Sequence, residues 1–236
     1  MVHPAEGKPF APVVVYMDMW GVRDALRDVA RRLAAAGYYA ILPDLYYRRG
    51  RVRYAERELP GRRSFADLEP SRQVELRAAM EALSDAMAVD DTRALLAFMA
   101  AGEPVRKGAV GAVGYCMGGR HALCVAAAFP ELFKATACLH GAGLIRDGED
   151  SPHLVARRAL GELYCGHAEK DQYAPPDVAE KLEGALAGSA GRFRQRIHAG
   201  LRHGYAVADR DVYDERATAL DWEEILGMLQ RQLCPR

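Results

Sequence analysis

The sequence predicts an α/β fold in which a mostly parallel sheet is flanked by helices on both faces. Short apolar and β-branched runs alternate along the chain with longer runs whose apolar residues recur at helical spacing. Such alternation is typical of βαβ units, in which helical crossovers join parallel strands. The chain has neither an internal repeat nor a linker that would divide it, so residues 1–236 are expected to form one domain.

The first half of the chain opens with a β-branched run at residues 13–17, which predicts a buried strand. Residues 22–36 carry apolar side chains at helical spacing, and Gly37 follows in a position that commonly ends helices. Residues 39–43 predict the next strand. Beyond it we expect a loop or lid over residues 44–71, rich in Arg, Tyr, Gly and Pro, and then helix over residues 72–100 with a break near 89–91.

The second half of the chain continues the alternation. A small, apolar strand is predicted at residues 109–114 and a helix at residues 120–128. The remaining segments are predicted strands at residues 135–139, 162–165 and 192–198 and predicted helices at residues 177–186 and 213–233.

Composition narrows the class of protein. Half of the residues are hydrophobic, and the 32 Lys and Arg balance the 32 Asp and Glu, so nothing suggests nucleic acid as a partner. No apolar run approaches the roughly 18 residues of a membrane span, and the first residues lack an apolar signal core, so we expect a cytoplasmic protein. The five cysteines show no C-x-x-C spacing, which argues against a disulfide framework or a zinc site. We expect neither a metal nor a cofactor.

The segment Gly114-Tyr115-Cys116-Met117-Gly118-Gly119 has the pattern of a nucleophile elbow, G-x-S-x-G, with cysteine in place of serine. It lies between a predicted strand and a predicted helix, where this sharp turn is needed. Glycines allow the strand and the helix to approach closely. At a helix N-terminus the peptide dipoles favour a thiolate. Cys116 is therefore the candidate nucleophile, and a buried structural cysteine is the alternative.

Further candidates follow other predicted strands. In parallel sheets, reactive groups gather at the carboxyl ends of the strands. Asp171 follows the strand at 162–165, and His203 follows the strand at 192–198. The order nucleophile, acid, histidine is that of the α/β-hydrolase fold. His203 would act as the base and Asp171 would orient it, with Glu169 and Asp177 as rival acids.

These residues resemble the dienelactone hydrolase (carboxymethylenebutenolidase) family, α/β-hydrolases with a cysteine nucleophile. The resemblance extends over almost the whole chain from about residue 13. It is carried by the elbow through Arg120, by Asp171, by His203 and Gly204, and by residues 38–46 and 213–222. The resemblance implies hydrolysis of a lactone or ester through a thiol acyl-enzyme.

Two features differ from the pattern of this family. Members usually begin with an antiparallel hairpin, which we expect to be missing or reduced here because the first strand begins near residue 13. Members also carry a glutamate that is proposed to hold the thiol until substrate binds, and the matching residue here is Asp18. Asp18 is therefore a candidate for modulating the thiol, and capping of the helix that begins near Val22 is the alternative. No motif places the arginines with which the family binds a substrate carboxylate.

The remaining candidates concern the cleft. The oxyanion hole is expected to use the backbone N–H groups of Met117 and Met19. Trp20 and Tyr46 are expected to form part of an apolar cleft wall. The segment 48–63 has seven arginines and two acids, which is usually a solvated surface but could attract an anionic substrate. His140 and His153 are candidates for the wall or for structural roles, and His121 and His167 are expected to be ordinary helix or loop residues.

Three functions are compatible with these observations. The first is hydrolysis of a small-molecule ester or lactone, neutral or anionic, by a Cys-His-Asp triad. The second is acyl transfer or thioester hydrolysis by the same acyl-enzyme. The third is ligand binding without catalysis on the same fold, which the presence of Cys116, Asp171 and His203 disfavours. Neither nucleic acid nor a membrane is expected as a partner, and a monomer and a homodimer are both compatible with the sequence.

Overall fold

Six parallel strands form the centre of the computed structural model, which describes residues 1–4, 9–50 and 64–234. Their order across the sheet is β2-β1-β3-β4-β5-β6. The strands are β1 (Ala11–Tyr16), β2 (Tyr38–Ile41), β3 (Val110–Tyr115), β4 (Phe133–Leu139), β5 (Glu162–Lys170) and β6 (Phe193–Arg202). The chain places β2 on one side of β1 and β3 on the other side. In open α/β sheets, ligands bind in the crevice at such a switch point. The α/β-hydrolase fold predicted from the sequence is confirmed.

Helices join the strands and cover both faces of the sheet. They are α1 (Asp24–Ala35), α2 (Pro70–Glu81), α3 (Asp85–Gly102), α4 (Met117–Ala128), α5 (Pro152–Val155), α6 (Pro176–Leu186) and α7 (Glu215–Leu233). On one face α1 and α7 are neighbours, and the guanidinium of Arg32 lies 4.4 Å from the ring centroid of Trp222. Helix α4 is buried along nearly its whole length because it packs on β1, β3 and β4 and is covered by α3. No helix within the described ranges is long and apolar enough to cross a membrane.

The helical region that follows the expected loop or lid at residues 44–71 differs from the sequence prediction. The break falls between α2 and α3, at residues 82–84, and not near residues 89–91. Ser84 begins α3 as its N-cap, and its side-chain oxygen accepts a hydrogen bond from the N–H of Met87 at 3.1 Å. The two aspartates at 90 and 91 lie on the exposed or half-exposed side of α3, where Asp90 pairs with Arg93 and Asp91 pairs with Arg48, so their charges do not end the helix.

The structure describes part of the expected loop or lid at residues 44–71. Short 3₁₀ turns occupy Tyr47–Arg49 and Phe65–Asp67, and residues 51–63 lie outside the described residues. Before β1, the described residues show two isolated bridges, Val2 with Ala40 in antiparallel and Phe10 with Val105 in parallel pairing, and no hairpin.

Candidate active site

Cys116 occupies the sharp turn between β3 and α4. Its φ is +56°, a left-handed conformation that is uncommon for a residue other than glycine and that often marks a functional site. The turn is held by backbone hydrogen bonds. The N–H of Cys116 donates to the carbonyl of Leu139 at 3.0 Å, and its own carbonyl accepts from Gly119 at 3.0 Å and from Ala142 at 3.1 Å. The side chain is 6 % exposed and lines a pocket.

The glycines of the elbow are required by close backbone contacts. A Cβ on Gly114 would lie 2.1 Å from the carbonyl oxygen of Gly118. A Cβ on Gly118 would lie 2.4 Å from the carbonyl oxygens of both Tyr16 and Met17, at the end of β1. Because no side chain fits, α4 begins directly against the segment that follows β1. The elbow and the loop of Asp18 and Met19 are thereby brought together.

The side chain of His203 is anchored by Asp171. Nδ1 of His203 lies 2.7 Å from Oδ2 of Asp171, and because an ionised carboxylate only accepts, Nδ1 is the donor. Oδ1 of the same carboxylate accepts from the backbone N–H of Tyr173 at 2.8 Å and of Ala174 at 3.2 Å. Asp171 is 3 % exposed. Its carboxylate is thus fixed on both oxygens and can hold only one orientation of the imidazole.

The other ring nitrogen of His203 faces a different environment. Nε2 is buried and has no partner of hydrogen-bond geometry within the described ranges. His203 lines the same pocket as Cys116. Burial disfavours the imidazolium, but the nearby charge of the Cys116 thiolate and the hydrogen bond to Asp171 outweigh burial and raise the pKa of His203 to about 10. The arrangement therefore favours the protonated form of His203 beside Cys116.

The rival acids lie elsewhere. Oε2 of Glu169 accepts from the backbone N–H of Gly200 at 2.7 Å, and Asp177 pairs with Lys181 at 2.8 Å on the surface of α6. Neither carboxylate has a hydrogen bond to His203 in the described structure, whereas Asp171 has one.

Two backbone N–H groups adjoin the pocket at the elbow. Met117 is the first residue of α4, where an N–H has no partner within the helix. Met19 lines the pocket from the other side, and its N–H is free of hydrogen bonds to the described residues. Tyr46 lies behind this loop and not in the cleft wall where the sequence placed it. It is 2 % exposed, and its hydroxyl donates to the carbonyl of Met19 at 3.0 Å. Tyr46 therefore supports the loop that presents Met19.

Asp18 is engaged by an arginine. Arg23 donates from Nη1 to Oδ1 at 2.6 Å and from Nη2 to Oδ2 at 2.9 Å, and both side chains are almost fully buried. The same guanidinium binds Asp209 through Nε at 2.6 Å and Nη2 at 2.9 Å. Arg23 is also the N-cap residue of α1, which has no side-chain capping bond. The alternative that Asp18 caps this helix is therefore wrong. Arg23 therefore pairs with the carboxylate through which Asp18 would act on Cys116, and it shares its charge with Asp209.

The pocket has a volume of about 320 Å³, the size of a small-molecule site. Among the described residues, three cations line it: Lys170, Arg202 and Arg210. Arg210 stacks over the ring of Trp20, 4.5 Å from its centroid, and its buried Nη1 has no hydrogen-bond partner within the described part of the chain. Trp20 is one of the residues that line the pocket. The indole of Trp20 and the guanidinium stacked on it place an apolar surface next to a positive charge.

The other histidines separate into two groups. His140 lines the pocket. His121 is buried against Asp85, with Nδ1 2.6 Å from Oδ1. His153 lies in α5, and its Nδ1 is hydrogen-bonded to the hydroxyl of Ser151 at 2.7 Å. His167 is a buried residue of β5. None of these last three lines the pocket. Within the described ranges no group of three or more His, Cys, Asp or Glu side chains is placed to hold a metal ion.

Sequence reasoning missed Arg23, Arg210 and Tyr173. Tyr173 packs on His203 with the rings at 69° and their centroids 4.8 Å apart. The sequence has one signal for Arg23, a basic residue five positions after Asp18. It has none for Arg210, whose approach to Trp20 depends on the path of the loop after β6.

Comparison with known proteins agrees with this architecture. The model of the dienelactone hydrolase family matches residues 1–233. A carboxymethylenebutenolidase of Pseudomonas sp. (strain P51) is 34 % identical over 234 residues, covering 97 % of this chain and 87 % of the relative. A carboxymethylenebutenolidase of Rhodococcus opacus is 28 % identical over 227 residues, covering 94 % and 81 %. A crystal structure from Klebsiella pneumoniae subsp. pneumoniae, described as a dienelactone hydrolase, superposes with a TM-score of 0.81 at 24 % identity, covering 97 % and 90 % of the two chains.

Proposed function

Because the chain belongs to the dienelactone hydrolase family and is a carboxylic ester hydrolase, we propose that it opens a lactone or ester through an acyl-enzyme on Cys116. One observation supports this most strongly. A cysteine in a left-handed turn at the start of a helix shares a pocket with a histidine that is hydrogen-bonded to a buried carboxylate. Nucleophile, base and orienting acid need this arrangement.

In the proposed first step the Cys116 thiolate attacks the carbonyl carbon of the substrate and a C–S bond forms. The carbonyl oxygen becomes an oxyanion, which the N–H groups of Met117 and Met19 stabilise by hydrogen bonds. The C–O bond to the leaving group then breaks. The imidazolium of His203 gives its proton to the departing oxygen, and in a lactone that oxygen stays on the same molecule as a hydroxyl or enol.

In the second step water hydrolyses the thioester. Neutral His203 removes a proton from the water, whose oxygen bonds to the acyl carbon. The C–S bond breaks, and Cys116 leaves as a thiolate beside the imidazolium that has just formed. Asp171 stabilises that cation and keeps Nε2 directed at the reacting atoms. The cycle ends with a carboxylic acid product and the starting charge state.

An anionic substrate is favoured by the pocket lining. Lys170 and Arg202 have no ion-pair partner within the described ranges, and Arg210 has one distant carboxylate, Asp211, at 3.7 Å. Asp18 also lines the pocket, but Arg23 neutralises it. Among the described lining residues the three cations thus outnumber the carboxylates of Asp18 and Asp211. A substrate carboxylate would pair with a cation here at less desolvation cost than in an apolar pocket.

The experiment is a turnover assay with cis- and trans-dienelactone and p-nitrophenyl acetate, combined with intact-protein mass spectrometry. Hydrolysis with an added acyl mass that maps to Cys116 in a quenched reaction supports the proposal. The acyl mass should be absent from Cys116→Ala. Product formed only when a thiol or alcohol acceptor is added would favour acyl transfer. The absence of turnover with every substrate would overturn the proposal for this substrate class.

A further inference from the structure

His140 directly follows β4 and has an unusual backbone. Its φ is +38°, and among described residues other than glycine it shares a positive φ with Cys116 alone. Its N–H donates to the carbonyl of Gly166 at 2.7 Å, so the conformation is held by the neighbouring strand β5. Residues in such conformations are retained where the surrounding structure enforces them, and they concentrate at functional sites.

The ring of His140 is surrounded by aromatic side chains. Its centroid lies 4.9 Å from that of His203 at 75°, 5.6 Å from Tyr205 at 72° and 5.9 Å from Tyr115 at 51°. These contacts fix the ring but do not satisfy its nitrogens. The hydroxyl of Tyr205 donates to Asp221 at 2.6 Å, and the hydroxyl of Tyr115 has no partner of its own in the described structure.

His140 is thus a buried polar group without a polar partner. It is 1 % exposed, and neither ring nitrogen has a hydrogen-bond partner within the described ranges. Burial and the positive charges of His203 and Arg210 hold the pKa of His140 well below its usual range. A neutral imidazole carries one N–H donor and one lone-pair acceptor. Buried groups of this kind are normally satisfied, and His140 lines the pocket that Cys116 and His203 also line.

We propose that His140 is a substrate-binding residue, whose ring N–H donates a hydrogen bond to an uncharged oxygen of the ester or lactone beside the scissile bond. This inference rests on the proposed function for the class of substrate. The neighbouring cations Lys170, Arg202 and Arg210 match a charged oxygen, whereas His140 offers a neutral donor next to His203. A ligand without that oxygen leaves the donor unpaired, so His140 would favour ligands that carry the oxygen over those that lack it.

The test measures binding apart from turnover. Isothermal titration of trans-dienelactone into Cys116→Ala gives the parent Kd, because the ligand is not consumed. His140→Phe in the same background keeps an aromatic ring against His203 and Tyr205 but removes the donor, and should raise Kd at least fivefold. His140→Gly also removes the donor and relieves the positive φ. It should raise Kd as much and serves if the Phe variant fails to fold. Tyr115→Phe is the matched control, since it removes another unpartnered buried polar group that does not line the pocket, and Kd should stay within twofold.

A second measurement separates binding from an effect through His203. The wild-type protein and His140→Phe, both with Cys116 in place, should show the same pH dependence of iodoacetamide alkylation at Cys116. An unchanged Kd in both variants, a shifted alkylation profile, or a parent that does not bind dienelactone would each overturn the inference. A wild-type protein that binds dienelactone without hydrolysing it would refute the proposed function and leave the Kd comparison valid.

Discussion

Nδ1 of His203 donates to Oδ2 of Asp171 at 2.7 Å, and two backbone N–H groups hold the other oxygen of the same carboxylate. The two residues follow β5 and β6, which are adjacent and parallel, so their loops emerge at the same edge of the sheet. The imidazole is thereby oriented before any ligand arrives, with Nε2 left for the pocket. The pH dependence of the proposed reaction should reflect this pair.

Replacing Asp171 should move the alkaline limb of the pH–rate profile. The pKa of His203 is raised to about 10 by charge from Cys116 and by the bond to Asp171, against burial. The proton needed by the leaving oxygen is therefore present below about pH 10 and lost above it. Asp171→Asn removes one of these causes, so the pKa of His203 falls and kcat/KM for dienelactone should decline from a lower pH, by one unit or more. Glu169→Gln, whose carboxylate binds Gly200, is the control and should leave the limb in place.

Cys116→Ala should abolish hydrolysis while keeping the fold. Loss of a nucleophile costs several orders of magnitude in a triad. The assay is dienelactone turnover, with circular dichroism to check folding. Retention of more than about a tenth of the activity, only ~1.4 kcal/mol of barrier, would mean that another residue is the nucleophile.

Peptide mapping after iodoacetamide should find Cys116 labelled ahead of the buried Cys124, Cys138 and Cys165. The exposed Cys234 should be replaced by serine beforehand.

Asp18→Asn should affect stability more than thiol chemistry. Arg23 would lose its buried carboxylate partner and keep the half-buried Asp209, and breaking a buried pair costs about 3–5 kcal/mol. Since Asp209 remains, we expect a loss near the lower end of that range in urea unfolding. Asp28→Asn, in an exposed pair with Arg31, is the control and should change stability by less than about 0.5 kcal/mol.

The same variant tests Asp18 as a modulator of the thiol. With its charge already neutralised by Arg23, the pH dependence of Cys116 alkylation should shift little in Asp18→Asn. A large shift toward lower pH, with stability unchanged, would assign Asp18 the gating role that the family resemblance implies.

Two glycine substitutions should have opposite effects. Gly118→Ala places a Cβ 2.4 Å from two backbone carbonyl oxygens, which cannot rotate away. It should cost about 1–3 kcal/mol or more and displace the elbow from Met19, with loss of activity. Gly184→Ala in α6 has nothing within 4 Å of the added Cβ, so higher helix propensity should stabilise the protein by about 0.4–1 kcal/mol. Equal unfolding midpoints in the two variants would contradict the close contact at the elbow.

Arg210→Gln should discriminate between substrates. Its unpartnered Nη1 over Trp20 is suited to a carboxylate, so KM for a dienelactone should rise about tenfold or more with kcat changed less. Hydrolysis of p-nitrophenyl acetate, which has no carboxylate, should be nearly unaffected. If KM rises equally for both substrates, Arg210 shapes the pocket and does not bind the substrate carboxylate.

Local sequence patterns were sufficient for the order of strands and helices and for the position of the elbow. The β-branched runs, the helical spacing and the glycines at 114, 118 and 119 report on neighbours within a few residues, and the structure confirms the elements. The prediction of a break near residues 89–91 is wrong, although Ser84, which begins α3, is an N-cap residue that the sequence shows.

The sequence by itself determined the α/β alternation, the turn that presents Cys116 and the candidate residues at the strand ends, since each depends on short-range backbone geometry and chain order. Only the tertiary structure decided that Arg23 takes both oxygens of Asp18, that Tyr46 lies behind the pocket, and that Arg210 and His140 line it. These contacts join residues as far apart as Arg23 and Asp209, 186 positions along the chain. No local period encodes them, because they depend on how loops from separate strands meet above the sheet.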